Sequence, residues 1–300
     1  MSLRFEGVMP AITTPFNADL SIDHAAVTTN VQWLVQAGCT GIVPCGSLGE
    51  GATLSFEEKV SLIKTCARAV DVPVIPGIAA LSTKEAVQLA HAAKEHGARG
   101  LMVLPPYVYS TDWREMKAHV AAVIQATDLP CIIYNNPVAY KTDFKPEQIV
   151  ELAGEFDNVR AVKESSTDVR RITALKALLG ANSNIALGVG VDDCLVEGVA
   201  AGAQFWIAGL VDAFPRESVR LFDLARAGKW AEAAELYAWF LPLLRMDTVP
   251  KFVQLIKLAQ EKVGIGHRRV RPPRLELQGS ELAEAEQIIS EAVATRPTVD

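Results

Sequence analysis

Basic runs, long apolar stretches and paired cysteines are all scarce in this chain, and each scarcity removes a class of function. Lys and Arg number 29 against 35 Asp and Glu, a formal charge of −6, and no Lys/Arg-rich run or basic–aromatic stripe occurs. Nucleic acid is therefore not an expected partner. The densest basic stretch, His267-Arg268-Arg269-Val270-Arg271, stops at Pro272-Pro273 and reads as a surface turn. The first residues, Met1-Ser2-Leu3-Arg4-Phe5-Glu6, show no apolar core of a signal peptide. The most apolar window, Val199 to Val211, is interrupted by Gln204 and is too short to span a bilayer. The cysteines number 5, odd and scattered, which suits free thiols in a reducing compartment rather than a disulfide framework. A cytoplasmic protein with no membrane partner is expected.

What the chain does have is alternation. At 50% hydrophobic and 21% charged residues over 300 positions, it can bury a large core. Short apolar runs rich in valine and isoleucine occur at Val8–Thr13, Gly41–Pro44, Val74–Gly77, Gly100–Leu104, Cys131–Tyr134, Val159–Lys163, Ile185–Val189 and Gln204–Ile207. Between them lie segments of helical spacing, such as Asp23 to Ala37, which keeps Val27, Val31, Leu34 and Val35 on one face. Ser55 with Glu58 predicts a capping box. Strands apolar on both faces that alternate with helices imply a parallel sheet under helices. Eight of them, spaced by roughly 20–30 residues, suit the (β/α)8 TIM barrel, whose typical size is about 250 residues. A doubly wound sheet would want a glycine-rich loop after its first strand, and Thr13-Thr14-Pro15-Phe16 is not one.

From Pro215 onward only helical segments follow: Arg216–Ala227, Lys229–Leu244, Thr248–Val263 and Ser280–Ala294, with Pro242 and Pro250 expected to mark breaks. The division predicted is a barrel over 1–228 and a C-terminal helical extension over 229–300.

In such a barrel the chemistry sits at the carboxyl ends of the strands. Those ends carry Cys45-Gly46-Ser47-Leu48-Gly49-Glu50-Gly51, Pro105-Pro106-Tyr107-Val108-Tyr109, Tyr134-Asn135-Asn136-Pro137, Lys163, and Gly188-Val189-Gly190-Val191-Asp192-Asp193. A partly desolvated lysine is a nucleophile for carbonyl carbon, the basis of Schiff-base chemistry. Glycines around Ser47 let backbone N–H groups approach a small anion, although the same residues also suit a tight turn before a helix. A phosphate-binding P-loop is excluded, because its Gly-Lys-Ser/Thr end is missing. Tyr134 reads either as a proton relay or as an amphipathic rim residue. Cys45 lacks a histidine partner: His24, His91, His96 and His119 fall in helical segments and His267 in the late basic turn. The same placement speaks against a histidine-ligated metal. Asp192 and Asp193 with Glu50 are weak candidates for Mg²⁺, and Asp192 is expected to cap the helix that follows it.

At these strand ends the chain resembles the dihydrodipicolinate synthase / N-acetylneuraminate lyase superfamily of class I, Schiff-base (β/α)8 enzymes. The marks are the Gly-Ser/Thr-x-Gly-Glu turn at Gly46–Glu50, the Tyr-Asn-x-Pro segment at Tyr134–Pro137, and Lys163 in Val162-Lys163-Glu164-Ser165-Ser166. The resemblance runs from Gly7 to Pro273. It implies that Lys163 forms the imine with a 2-oxo acid, that Tyr134 shuttles protons, and that Ser47 and the backbone of Ser47 and Leu48 hold the substrate carboxylate. It implies further that Tyr107 is a relay tyrosine reaching a neighbouring subunit, that the Ile207 carbonyl lies near the lysine, and that the chain forms a homotetramer, a dimer of dimers.

The match departs at Val138-Ala139-Tyr140-Lys141-Thr142, where the synthases carry an arginine for the second substrate's carboxylate. Leu48 also stands where a second hydroxyl-bearing residue is common. The combination is most similar to the Δ1-pyrroline-4-hydroxy-2-carboxylate deaminases of hydroxyproline degradation, which need no external cofactor. Asn135, Asn136 and Tyr140 are then placed to contact the substrate hydroxyl. The alternatives are a retro-aldolase releasing pyruvate from a 4-hydroxy-2-oxo acid, a dehydratase of a deoxy-oxo sugar acid, and a non-catalytic ligand-binding barrel.

Overall fold

The computed structural model describes residues 3–106 and 112–299. Seven parallel strands form one curled sheet: β1 (Gly7–Pro10), β2 (Gly77–Ile78), β3 (Leu101–Val103), β4 (Cys131–Asn135), β5 (Val159–Glu164), β6 (Ala186–Val189) and β7 (Phe205–Ala208). Their order is β1-β7-β6-β5-β4-β3-β2. Alternation sorts each strand. Met9, Met102, Ile132, Tyr134, Ala161, Phe205 and Ile207 share an inner cluster, while Val8, Leu101, Val103, Ile133, Val162 and Trp206 face the helices. The fold is α/β and TIM-barrel-like.

The run expected as a strand at Gly41–Pro44 forms only bridges, Ala11 with Val43 and Ile42 with Val74. Hydrogen bonds nonetheless tie it to both edges of the sheet, Val43 N–H to the Pro10 carbonyl at 2.9 Å and Gly77 N–H to the Pro44 carbonyl at 2.8 Å. Proline explains the shortness. Pro44, Pro73 and Pro76 have no N–H to give to a ladder, and Cys45 turns the chain with a φ of 63°.

The capping box at Ser55 and Glu58 is present. Pro250 stands just ahead of the helix Phe252–Lys262, as a break should. Pro242, however, lies inside the helix Trp230–Leu244 and does not end it. It sits in the last turn, where the helix finishes by bonding the Arg245 N–H to the Leu241 and Leu243 carbonyls. Among the described residues no helix is long and apolar enough to cross a membrane.

One buried ion pair fastens the late helices to the sheet. Lys257, on the helix Phe252–Lys262, places Nζ 2.5 Å from Glu50 Oε1 and 2.8 Å from both the Thr14 and Arg269 carbonyls. Their side chains are 1% and 0% exposed. The other Glu50 oxygen accepts the Arg271 N–H at 2.9 Å. Burial pulls the Lys257 amine below its ordinary value, opposed by the Glu50 carboxylate. Replacing Lys257 by Met leaves Glu50 buried and unpaired, so denaturant unfolding should show a loss of about 3–5 kcal/mol. The double variant with Glu50→Gln should recover part of it.

Candidate active site

Lys163 is the fifth residue of β5, inward-facing like Ala161, and 5% exposed. Tyr134 is its direct neighbour on β4, and that pairing depends on a register shift. Cys131 pairs with Val159 but Ile132 pairs with Ala161, so Arg160 is passed over. Without the extra residue Tyr134 would stand beside Val162, an outward position. With it, Lys163 Nζ lies 4.3 Å from the centre of the Tyr134 ring.

The tyrosine is held by its surroundings. Asn136 Nδ2 donates to the Tyr134 hydroxyl at 3.0 Å, which leaves the phenolic proton free to be given elsewhere. Asn136 Oδ1 meanwhile accepts the Ala139 N–H at 3.0 Å and caps the short helix Pro137–Tyr140. That helix turns Tyr140 back over the site. Its ring meets Tyr134 edge to face, centres 5.9 Å apart, and its hydroxyl is hydrogen-bonded to Ser47 Oγ. Ser47, Tyr140, Tyr134 and Lys163 therefore form one continuous line of contact.

The turn that carries Ser47 is pinned at several points. Gly51 N–H donates to the Gly46 carbonyl at 3.1 Å, and the Thr14 hydroxyl to the Gly49 carbonyl at 2.6 Å. A side chain at Gly51 would sit 2.3 Å from the Cys45 carbonyl oxygen, so this crossing needs glycine. Cys45 itself is buried, and burial pushes its thiol up to about 12. It is no thiolate nucleophile at neutral pH. Leu48 is buried with Cδ2 against Gly209. Ile207 is 1% exposed on β7, two ladders from Lys163, within the same inner cluster as Tyr134. Tyr107 lies outside the described residues.

Asp192 does not cap the helix after it. Its carboxylate accepts the Leu210 N–H at 2.8 Å, the Gly209 N–H at 3.1 Å and Trp206 Nε1 at 3.2 Å. A buried carboxylate takes the nearest unpaired donors, and those stand at the end of β7. Burial pushes Asp192 up to about 6, against the pull of these donors and of Lys163. Burial likewise raises Asp212 well above the carboxylate range, and burial with Asp192 nearby does the same to Asp247. These acids were not foreseen as a group, since they come from separate turns. Nor were Ser165 and Gly190, which flank the lysine on the β6 side. A cleft of about 1070 Å³ opens at the amino ends of the strands, among Phe5, Pro130, Asn158 and Gln204, and contains neither Lys163 nor Tyr134.

An inward strand-end lysine against a hydrogen-bonded tyrosine, in a TIM-barrel-like sheet, is the equipment of a class I, Schiff-base lyase. The chain belongs to the dihydrodipicolinate synthetase family, whose model matches residues 4–292, and it is an enzyme of that class. It is 32% identical over 289 residues to a 4-hydroxy-tetrahydrodipicolinate synthase of Methanoculleus marisnigri, covering 95% of this chain and 98% of that one. Among solved structures it superposes on dihydrodipicolinate synthase from Aquifex aeolicus with a TM-score of 0.90, at 29% identity over 97% of this chain and 98% of that one. It also superposes on an Escherichia coli K12 prophage protein of the dihydrodipicolinic acid synthase family in complex with pyruvate. There the TM-score is 0.90 at 26% identity, covering 96% and 99%.

Asn136 separates two effects that can be measured apart. Asn136→Asp keeps a good helix cap but offers Tyr134 an acceptor in place of a donor, so turnover should fall while the unfolding midpoint stays near wild type. Asn136→Ala should lose turnover together with about 1 kcal/mol of cap stability.

Proposed function

We propose that the protein is a lysine-dependent deaminase that converts 1-pyrroline-4-hydroxy-2-carboxylate to 2,5-dioxopentanoate and ammonia, a reaction of hydroxyproline degradation. Lys163 adds to C2 of the cyclic imine, and the ring C–N bond breaks to leave a primary amine on C5. The Lys163 imine is an electron sink, so a proton leaves C3 and the C4 hydroxyl departs as water. Tyr134 passes these protons, and Asn136 keeps its hydroxyl oriented. Protons then leave C5 and its nitrogen and return to C3 and C4, which turns the C5 amine into an imine; its hydrolysis releases ammonia, and hydrolysis of the Lys163 imine releases the product. One water is consumed overall, and no external cofactor takes part.

In this reading Ser47 Oγ and the N–H groups of Ser47 and Leu48 hold the carboxylate. Asn136 and Tyr140 face the hydroxyl end, and the Ile207 carbonyl lies near the lysine. Segment 40–44 completes an eight-stranded barrel within 1–228, with 229–300 appended as a helical layer. Tyr107 acts as a relay residue within a homotetramer.

The observation that carries the choice of substrate is the absence of an arginine from the segment that follows Tyr134-Asn135-Asn136-Pro137. Positions 138–142 hold no arginine. Lys141 folds Nζ onto the Val138 carbonyl at 3.1 Å. Arg171 is engaged in two bonds to Asp143, at 2.6 and 2.8 Å. A second carboxylate-bearing substrate, as a synthase named for 4-hydroxy-tetrahydrodipicolinate uses, finds no such partner here. The second reading is a retro-aldolase releasing pyruvate from a 4-hydroxy-2-oxo acid, favoured by the pyruvate bound in the E. coli relative.

Incubation with the pyrroline substrate should release one ammonia per turnover in wild type. Lys163→Ala should release none, and Tyr134→Phe should be slower by about 10²–10⁴-fold. Pyruvate from a hydroxy-oxo acid, without ammonia from the pyrroline, would replace the deaminase by the aldolase. Sedimentation of the intact protein tests the tetramer.

A further inference from the structure

Ser165 follows β5 and lies two positions beyond Lys163, so its side chain takes the same inward direction one layer nearer the mouth. Its backbone prolongs the ladder, N–H to the Asn135 carbonyl at 2.8 Å. The residue is 1% exposed, and Oγ has no hydrogen-bond partner among the described residues. A buried hydroxyl left in that state costs about 1–3 kcal/mol. Lys163, Glu164 and Asn135 are all paired or packed; Ser165 stands out.

Gly190 shows why the hydroxyl is where it is. A methyl group there would fall 2.0 Å from Ser165 Oγ and 2.4 Å from Lys163 Cε. The backbone of Gly190 is not in the left-handed region, so conformation does not demand glycine; space does. The missing side chain lets the lysine arm and the serine hydroxyl lie side by side. Tyr134 covers the amine from the β4 side, while Ser165 and Gly190 stand on the β6 side. Lys163 therefore has the face of the Tyr134 ring over its amine and the Ser165 hydroxyl beside its arm.

We propose that Ser165 Oγ–H is a hydrogen-bond donor to the C2 oxygen of the carbinolamine on Lys163. In that step Nζ adds to the carbonyl carbon and a proton passes from nitrogen to oxygen. The C–O bond then breaks, and the oxygen leaves as water with a second proton from the nitrogen while C=N forms. Ser165 donates to this oxygen throughout and keeps its own proton. The same oxygen enters in reverse when the product imine is hydrolysed. The assignment rests on Lys163 as the imine-forming residue; with an oxo acid it covers imine formation and hydrolysis, and with a cyclic imine, which carries nitrogen at C2, it covers the hydrolysis of the Lys163 imine.

The test is rapid-quench borohydride trapping of pyruvate on the intact enzyme, read as mass on Lys163, together with thermal unfolding. Ser165→Ala should slow adduct formation by on the order of 10²-fold with an unfolding midpoint equal to or above wild type, because a hydroxyl unpaired in the resting protein is removed. Trapping at the wild-type rate would overturn the proposal. So would slower trapping with a lowered midpoint, which would make the hydroxyl a support of the fold. A wild-type protein that gives no adduct would instead remove Lys163 itself from its role.

Discussion

The buried pair of Glu50 and Lys257 is the contact on which the geometry of the mouth depends. Glu50 ends the glycine turn in a left-handed conformation, φ 55°, which a non-glycine residue holds only when its surroundings oblige it. Lys257, the Arg271 N–H and the packing of Phe16 under both cations supply that obligation. A charge pair this deep in the protein is a weak source of net stability compared with apolar packing. What it adds is direction. It aims one turn, and so Ser47, from a helix more than 200 residues later in the chain, and Arg296 on Glu217 ties down the far end of the same layer.

A second constraint is the irregularity between β4 and β5. Parallel strands in regular register would bring Val162 beside Tyr134, and an outward valine has nothing to offer a phenol. The residue passed over, Arg160, is exposed. An arginine at the one point where a strand leaves the ladder is consistent with that point facing water rather than the core. The pairing of Lys163 with Tyr134 thus depends on a local defect in the sheet.

Much of this was legible in the sequence. Apolar runs marked the strands because a sheet covered by helices needs valine and isoleucine on both faces, and the residues ending those runs included Lys163, Tyr134 and Ser47. Proline misled twice in opposite directions. At positions 44, 73 and 76 it shortened strands that composition favoured, and at 242 it was tolerated in a last helical turn, where the helix was ending anyway. Asp192 has the local pattern of a helix cap, while its partners Trp206, Gly209 and Leu210 are neighbours only in space. Lys257 looked like any helical lysine, since nothing in its own helix shows that its ammonium reaches a glutamate at position 50. Side chains that act through long-range contacts leave no local pattern to read.

The lysine sits in an uneven field. On one side are the polarisable face of Tyr134 and the neutral chain through Tyr140 to Ser47; on the other, beyond Gly190, is the group of Asp192, Asp212 and Asp247. Two of those acids sense the charge on Lys163, and burial disfavours their ionisation. The two flanks of Lys163 therefore differ in charge as well as in shape.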